Sequence, residues 1–189
     1  MEPFLFVLIV VGVALLVLGL WVILNYNRFI RLRQHIKESW SGIDVELKRR
    51  YELIPNLVET VKGYASHERG VFEEVTKLRN QAMANHGDAD SQALDESKML
   101  MGLKKLFAVA EAYPQLKSDT NFLALQREIA LTEDRIAAAR RFYNGNIRAM
   151  NQMCRSFPTN ILARLFGFQT GTFFELESAA ERVAPRVEL

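Results

Sequence analysis

The first feature of the chain is an uninterrupted apolar segment at its N-terminus. No charged side chain occurs between Glu2 and Arg28, and the run from Phe4 to Leu24 is apolar apart from two glycines. A helix of that length spans about 30 Å, which is the thickness of the hydrocarbon core of a bilayer. The pattern predicts an N-terminal transmembrane helix over residues 1–27.

A cleaved signal peptide is the alternative interpretation of this segment. Such a peptide needs a basic N-terminal region, an apolar core of about 7 to 15 residues and a small-residue cleavage site. Here the N-terminal region is Met1-Glu2-Pro3, the apolar run is longer, and Leu24-Asn25-Tyr26 provides no small residues. The sequence therefore favours an uncleaved signal anchor.

The charges that flank the span predict its orientation, because cytoplasmic flanks are enriched in Lys and Arg. Four cations follow the span closely: Arg28, Arg31, Arg33 and Lys37. The N-terminal side offers only the α-amino group beside Glu2. Trp21 fits the aromatic belt at the membrane interface, although it fits an ordinary lipid-facing position equally well. We expect a single-pass protein with its N-terminus outside and its bulk in the cytoplasm.

After the span, apolar residues recur at alternating steps of four and three, which is the spacing of an amphipathic helix. This seam is formed by Trp40, Ile43, Leu47, Ile54, Leu57 and Val61, with Arg50 at its one polar position. Neither Gly nor Pro interrupts the chain between Leu24 and Trp40. The pattern predicts one helix that leaves the membrane and continues to about His67, with a kink or irregularity at Pro55.

Three further helices follow, separated by turn signals. A turn at 67–70 and a polar break at 85–88 delimit the second helix, and Pro114 ends the third. A fourth helix starts at Ser118 or Asp119 as its cap and keeps the same apolar spacing almost to Pro158.

No stretch of the sequence shows sustained period-two alternation with β-branched enrichment. The sequence therefore predicts an all-α fold in which the transmembrane helix is continuous with a long helix of an antiparallel four-helix bundle. This bundle has two long arms and a shorter helical hairpin, and it occupies residues 28–176. Residues 177–189 contain few apolar anchors and are predicted to be a disordered tail.

The lengths of the helices place one further segment. Because the hairpin turns twice, the fourth helix is expected to run back toward the bilayer and to deliver residues 157–174 to its surface. The apolar members of this segment are Phe157, Ile161, Leu162, Leu165, Phe166, Phe168, Phe173 and Phe174. Such a composition is typical of an interfacial element. The alternative is that these side chains fold back and cap the end of the bundle.

Composition excludes several classes of function. The 24 Lys and Arg residues nearly balance 22 Asp and Glu, for a net charge of +2, so nucleic acid is not expected as the main partner. Cys154 is the single cysteine, which excludes an internal disulfide and a metal site built on several thiolates.

No candidate site for catalysis, a cofactor or a metal emerges from the motifs. His67-Glu68 resembles the start of a zinc-protease helix, but Val71 stands where the second histidine should be. Phosphate-binding, dinucleotide-binding and nucleophile-elbow motifs do not occur. Arg50 is distinctive because it lies on the apolar seam. It is expected to pair with Glu128 or Glu133, or to mark where the seam opens to a partner.

Five blocks of the sequence resemble the bacterial LemA family. They are WSGIDVELKRRYELIPNLVETVKGY at 40–64, AEAYPQLK at 110–117, NFLALQ at 121–126, TEDRIAAARRFYN at 132–144 and SFP at 156–158. The resemblance covers nearly the whole chain, from about Tyr26 to Leu176. It implies a helical bundle anchored in the bacterial inner membrane, with the N-terminus outside and no accepted catalytic residues. Members are associated by analogy with membrane-stress proteases of the HtpX type, and a relative acts in magnetosome membranes.

Two hypotheses of function follow. The first is a non-enzymatic scaffold or adaptor of the membrane surface, which self-associates through the seam from Trp40 to Val61 and contacts lipid through residues 157–174. The second is a regulatory partner of a membrane protease or other membrane enzyme, which binds its client at the seam around Arg50. A hydrolase with a hidden site is disfavoured because the constellation it needs is missing.

Overall fold

A computed structural model describes residues 2–176, and within this range the chain is all-helical, without a strand. The predicted tail at 177–189 lies outside the described residues. Six helices follow one another: α1 (Glu2–Lys62), α2 (Arg69–Ala84), α3 (Ala89–Glu111), α4 (Pro114–Lys117), α5 (Thr120–Arg155) and α6 (Thr159–Phe166).

The first helix confirms the predicted continuity between the apolar segment and the chain that follows it. Helix α1 runs unbroken for 61 residues and passes through Pro55. It ends at Lys62, a few residues earlier than predicted, because Gly63 begins a turn that continues to Glu68. The long N-terminal apolar helix is therefore part of the same element as the amphipathic seam.

Local capping explains where the later helices begin. The Asp88 carboxylate accepts a hydrogen bond from the backbone N–H of Ser91 at 2.9 Å and caps α3. Asp119 does the same for the N–H of Phe122 at 2.9 Å, so Asp119 rather than Ser118 caps α5. The one-turn helix α4 was not predicted, although Pro114 at its first position is a common start signal.

Helices α2 and α3 form a closely packed hairpin. At Gly102 a methyl group would stand 2.9 Å from Cδ1 of Leu78, so the absence of a side chain there allows the two helices to approach. The break between these helices lies at residues 85–88, as predicted.

The described chain divides into two compact units. Unit 1 comprises residues 2–38 and 145–171, and unit 2 comprises residues 39–144 and 172–176. The buried core of unit 1 contains Phe29, Met150, Met153, Leu162, Ala163 and Phe168. That of unit 2 contains Ile54, Leu57, Val58, Val61, Ala65, Phe72, Val75, Met99, Leu103, Leu106, Ala110, Leu116, Phe122 and Ile129. These units reflect packing, and the predicted boundary at residue 27 depends on the membrane and stays a prediction.

Candidate functional site

The apolar segment of α1 is exposed over most of its length. Among the described residues, α1 is the one helix long and apolar enough to cross a membrane, and none of its most apolar stretch is buried. Both ends of the predicted span, Phe4 and Leu24, are more than half exposed, whereas Trp21 is half-buried. Leaving this much apolar surface in water is unfavourable, so the segment needs another environment.

Helix α6 packs beside the end of this apolar segment in unit 1. The Tyr26 ring lies 4.9 Å from the Phe166 ring and 5.8 Å from the Phe168 ring, and Phe29 stacks on Phe168 at 4.4 Å. Trp21 also packs against the same core cluster. These contacts fix α6 at the level where the apolar run gives way to Asn25 and Tyr26.

A left-handed turn returns the chain to this cluster after α6. Gly167 has φ of +69°, a conformation that residues with a Cβ adopt only with strain. The turn lets the backbone N–H of Phe168 bond to the carbonyl of Ala163 at 2.9 Å, which ends the helix. Phe168 is then buried against Phe29, with the Arg33 guanidinium 4.7 Å above its ring.

The structure sorts the predicted interfacial segment 157–174 into two sets. Leu162 and Phe168 are buried in unit 1, Phe174 is buried in unit 2, and Phe173 is half-buried. The exposed set is Phe157 (81% exposed), Ile161 (56%), Leu165 (72%) and Phe166 (44%). One set is therefore buried within the units, while capping of the bundle end and lipid contact of the exposed set both stay predictions.

Two asparagines of α5 hold the extended chain that follows α6. In unit 1 the Asn151 amide donates to the carbonyl of Gly171 at 2.9 Å and accepts from its N–H at 2.8 Å. In unit 2 Asn144 makes the same pair of bonds to the backbone of Phe174, at 3.1 and 2.9 Å. Sequence reasoning missed both residues, although their seven-residue spacing on an apolar helix face was a usable signal.

The predicted seam on α1 is part of the core of unit 2. Ile43, Leu47, Arg50, Ile54, Leu57 and Val61 are buried within the single chain, and Trp40 is half-buried between Tyr143 and Phe174. Side chains already buried by the chain's own helices are not free to bind another copy or a client. A partner surface therefore has to be sought on other faces of the domain.

Arg50 joins three helices through two carboxylates. Its guanidinium forms an ion pair with Glu96 on α3 and donates to Glu133 on α5 at 2.7 Å. Glu133 was one of the two partners predicted. The other, Glu128, instead pairs with the neighbouring Arg49 at 2.9 Å on the surface. The prediction missed Glu96, because the sequence does not show which side of α3 faces Arg50.

The buried carboxylate of Glu96 has two further donors. The Tyr51 hydroxyl donates to it, and the Gln92 amide donates at 2.8 Å, so both of its oxygens accept hydrogen bonds, whereas the Nε of Arg50 is buried without a partner. Burial raises the pKa of Tyr51 to about 12, against the opposing charge of Arg50. The hydroxyl is therefore a neutral donor at physiological pH. Nothing in this closed cluster is open to a substrate, because Arg50 and Glu96 are both inaccessible.

A groove of about 690 Å³ lies on the outside of unit 2 between α1 and α2. Val58 and Phe72 form its apolar part, and charged side chains surround them: Glu59, Lys62, Arg69, Glu73 and Lys77. It is the kind of concave surface that could hold a peptide segment.

Two observations concern metal-ligating and thiol groups in the part of the chain that the structure describes. No group of three or more His, Cys, Asp or Glu side chains in residues 2–176 is placed to hold a metal ion. Cys154 packs beside the core of unit 1, and burial raises the pKa of its thiol, which makes it a poorer nucleophile.

Comparison with known families identifies the kind of protein to which these features belong. The sequence profile of the LemA family matches residues 39–189, which is well over half of the chain. The chain belongs to the LemA family. The match begins just after the predicted span and its basic flank, and it contains the Arg50 cluster, both asparagine clamps and α6.

Individual relatives cover more of the chain. Magnetosome protein MamQ 2 of Paramagnetospirillum magneticum is 26% identical over 85% of this chain and 68% of its own length. Magnetosome protein MamQ of Magnetospirillum gryphiswaldense is 23% identical over the same shares of both chains. Protein LemA of Metamycoplasma hominis is 27% identical over 83% of this chain and 71% of its own. Together with the exposed apolar helix, these relatives support a membrane-associated protein of the LemA type.

Proposed function

We propose that this protein is a non-enzymatic scaffold or adaptor, held on the cytoplasmic face of the bacterial inner membrane by a single N-terminal span. The observation that carries the proposal is the continuity of α1, which joins a largely exposed apolar segment to a packed helical domain without a break. Such a helix attaches the domain to the membrane without an intervening loop. Membership of a family with membrane-associated relatives supports the same function.

The proposed orientation places the N-terminus outside. Arg28, Arg31, Arg33 and Lys37 follow the span, and the positive-inside rule favours the cytoplasm for such a flank. A test is to add a cysteine-reactive, membrane-impermeant label to intact cells that carry a Glu2→Cys, Cys154→Ala variant. Labelling is expected at residue 2. The matched variant is Gln34→Cys, Cys154→Ala, with cysteine at an exposed position after the span. Labelling of this variant, and not of the first, would contradict the proposed topology.

We also propose that the helices of the domain form an antiparallel four-helix bundle of two long arms and a hairpin. Contacts within unit 2 support this arrangement. Trp40 lies against Tyr143, while Arg50 lies against Glu133, so residue numbers rise along α1 as they fall along α5.

Self-association is the second part of the proposed function, and it needs a surface other than the buried seam. Large apolar side chains remain exposed on the outward faces of α1 and α5 in unit 2: Val45 (60% exposed), Leu131 (43%) and Phe142 (62%). The surface pair Arg49–Glu128 connects these two faces. A second copy of the chain would cover this apolar surface.

Crosslinking in native membranes tests self-association. The expected result is a homo-oligomer in the wild type and its loss in a Val45→Ser, Phe142→Ser variant, with a Lys48→Ser, Arg141→Ser variant as the matched surface control. Only monomers in the wild type, with no other protein captured, would contradict a scaffold role.

A regulatory partner of a membrane protease or other membrane enzyme is the second candidate, and the groove between α1 and α2 is the observation that favours it. This candidate places the client on the groove rather than on the buried Arg50. A photo-crosslinking amino acid at Thr76, which lines the groove, is expected to capture a peptide of a membrane enzyme. Capture of this chain alone would count against the regulatory function.

A further inference from the structure

One side of α6 carries an apolar stripe that no other part of the described chain covers. Ile161 and Leu165 lie four residues apart in α6, so they share one face, and both are more than half exposed; Phe157, which precedes the helix, is also exposed. On the other side of the same helix Leu162 and Ala163 are buried in the core of unit 1. Helix α6 thus uses one apolar face for folding and presents a second one outward.

The position of this stripe is fixed within unit 1 relative to the apolar segment of α1. Phe166 lies against Tyr26, and Trp21 packs against the cluster that holds α6. When residues 4–24 occupy the hydrocarbon core, this is the level at which hydrocarbon gives way to headgroups. At that depth, lipid rather than a soluble protein is the expected contact of an apolar surface.

The charge of unit 1 outside the apolar segment is almost entirely positive. Residues 25–38 and 145–171 contain seven Lys and Arg residues and one acidic residue, Glu38. The cations are Arg28, Arg31, Arg33, Lys37, Arg148, Arg155 and Arg164, and all seven are exposed. Arginine is well suited to phosphate, because its planar guanidinium can donate two parallel hydrogen bonds. Basic flanks of this kind attract anionic lipids.

We propose that α6 lies in the headgroup layer as a second membrane contact, with Phe157, Ile161 and Leu165 inserted among the acyl chains and the surrounding arginines bound to anionic phospholipid. The apolar face supplies insertion, and the cations select the lipid. This inference rests on the proposed function only in that the apolar segment of α1 spans the bilayer. It adds a lipid preference that a simple anchor does not have.

The two contacts together restrict the protein. A single span can rotate and tilt freely, whereas a span and an inserted helix fixed to each other by the aromatic cluster hold unit 1 in one orientation on the membrane.

Depth-dependent quenching in vesicles tests the proposal with the full-length chain. Single cysteines are introduced into a Cys154→Ala background at Leu165, with Ile161 as a second variant, and labelled with an environment-sensitive fluorophore. Leu131, an exposed leucine of unit 2, is the matched control, and Val17 reports the span itself. Vesicles contain phosphatidylcholine alone or with phosphatidylglycerol, and shallow and deep spin-labelled lipids serve as quenchers.

The expected result is shallow quenching at 165 and 161, deep quenching at 17 and none at 131, with a blue shift at 165 that grows when phosphatidylglycerol is present. An Arg164→Gln variant is expected to lose part of that dependence on anionic lipid, while Lys48→Gln keeps it. Quenching at 17 without quenching at 165 and 161 would overturn this inference and leave the membrane span intact. No quenching at 17 would overturn the proposed function itself. Equal shifts in both kinds of vesicle, or equal quenching at 131, would contradict a lipid-selective contact of α6.

Discussion

The guanidinium of Arg50 on α1 and the carboxylate of Glu96 on α3 form an ion pair in which neither side chain is exposed to solvent. Taking two charges out of water is unfavourable, and further hydrogen bonds to the two groups offset part of that cost. Tyr51 and Gln92 donate to the same carboxylate, and Glu133 provides a second acceptor for the guanidinium. The cluster therefore determines which faces of three helices can meet.

Removing Glu96 should destabilise unit 2 strongly. We expect Glu96→Leu to lower the free energy of unfolding by about 3 kcal/mol, because it leaves the buried Arg50 with one carboxylate only. The matched control is Glu128→Leu, whose pair with Arg49 is exposed and contributes about 1 kcal/mol or less. Urea denaturation of the full chain in detergent micelles, followed by helical circular dichroism, measures both. Equal losses in the two variants would mean that the buried cluster is no more important than a surface pair.

Tyr51 should ionise at a higher pH than an ordinary tyrosine. Burial raises its pKa from 10.0 to about 12, so the folded state holds the phenolic proton more tightly than the unfolded state does. The stability that this proton contributes is fully present below pH 10 and is lost as the pH rises from 10 toward 12. An ultraviolet titration of the folded protein is expected to lose a component near pH 12 in the Tyr51→Phe variant. A titration curve unchanged by that substitution would show that Tyr51 is not the group that ionises near pH 12.

Asn151 should matter more than its neighbour on the same helix. Asn151→Ala removes two hydrogen bonds and leaves the N–H and carbonyl of Gly171 without their protein partner, which should cost about 2 kcal/mol. Gln152→Ala, at the exposed next position, should change stability by less than about 0.5 kcal/mol. Urea denaturation gives the free energies, and faster proteolysis near residue 171 in the first variant locates the effect. Similar proteolysis of the two variants would argue against the clamp.

Two glycines of unit 1 should respond to alanine with opposite signs. Gly167→Ala places a Cβ at φ of +69° and should cost about 1 kcal/mol. Gly145→Ala lies within α5, where an added methyl group meets nothing within 4 Å, and should stabilise the helix by about 0.5–1 kcal/mol. Thermal or urea unfolding of both variants under the same conditions measures the two changes in stability. A loss at Gly145 comparable to that at Gly167 would refute the conformational argument.

Much of the helical pattern could be predicted from the sequence. The unbroken course of α1, the break at 85–88 and the end of α3 before Pro114 follow from local signals, since helix formation depends on groups three and four residues apart. Helix α6 was anticipated only as a short apolar segment. The one-turn helix α4 escaped notice because four residues carry too little periodicity to detect.

What could not be predicted concerns partners that are distant in the chain. Arg50 and Glu96 are 46 residues apart, and their meeting depends on the rotation of α3 about its own axis, which no local pattern reports. The same limit applies to the seam, whose apolar spacing is identical whether a partner helix belongs to the same chain or to another.

The N-terminal apolar run and the segment 157–174 show which features the sequence determines and which depend on the tertiary structure. By itself, the sequence determined that residues 4–24 form a helix suited to a bilayer and that a second apolar segment follows α5, because composition and period are properties of neighbouring residues. Only the tertiary structure decided that Phe168 turns inward while Leu165 faces outward, and that α6 lies against Tyr26. Those facts depend on the turn at Gly167 and on packing between segments more than a hundred residues apart, where burial is shared and cannot be assigned to either segment alone.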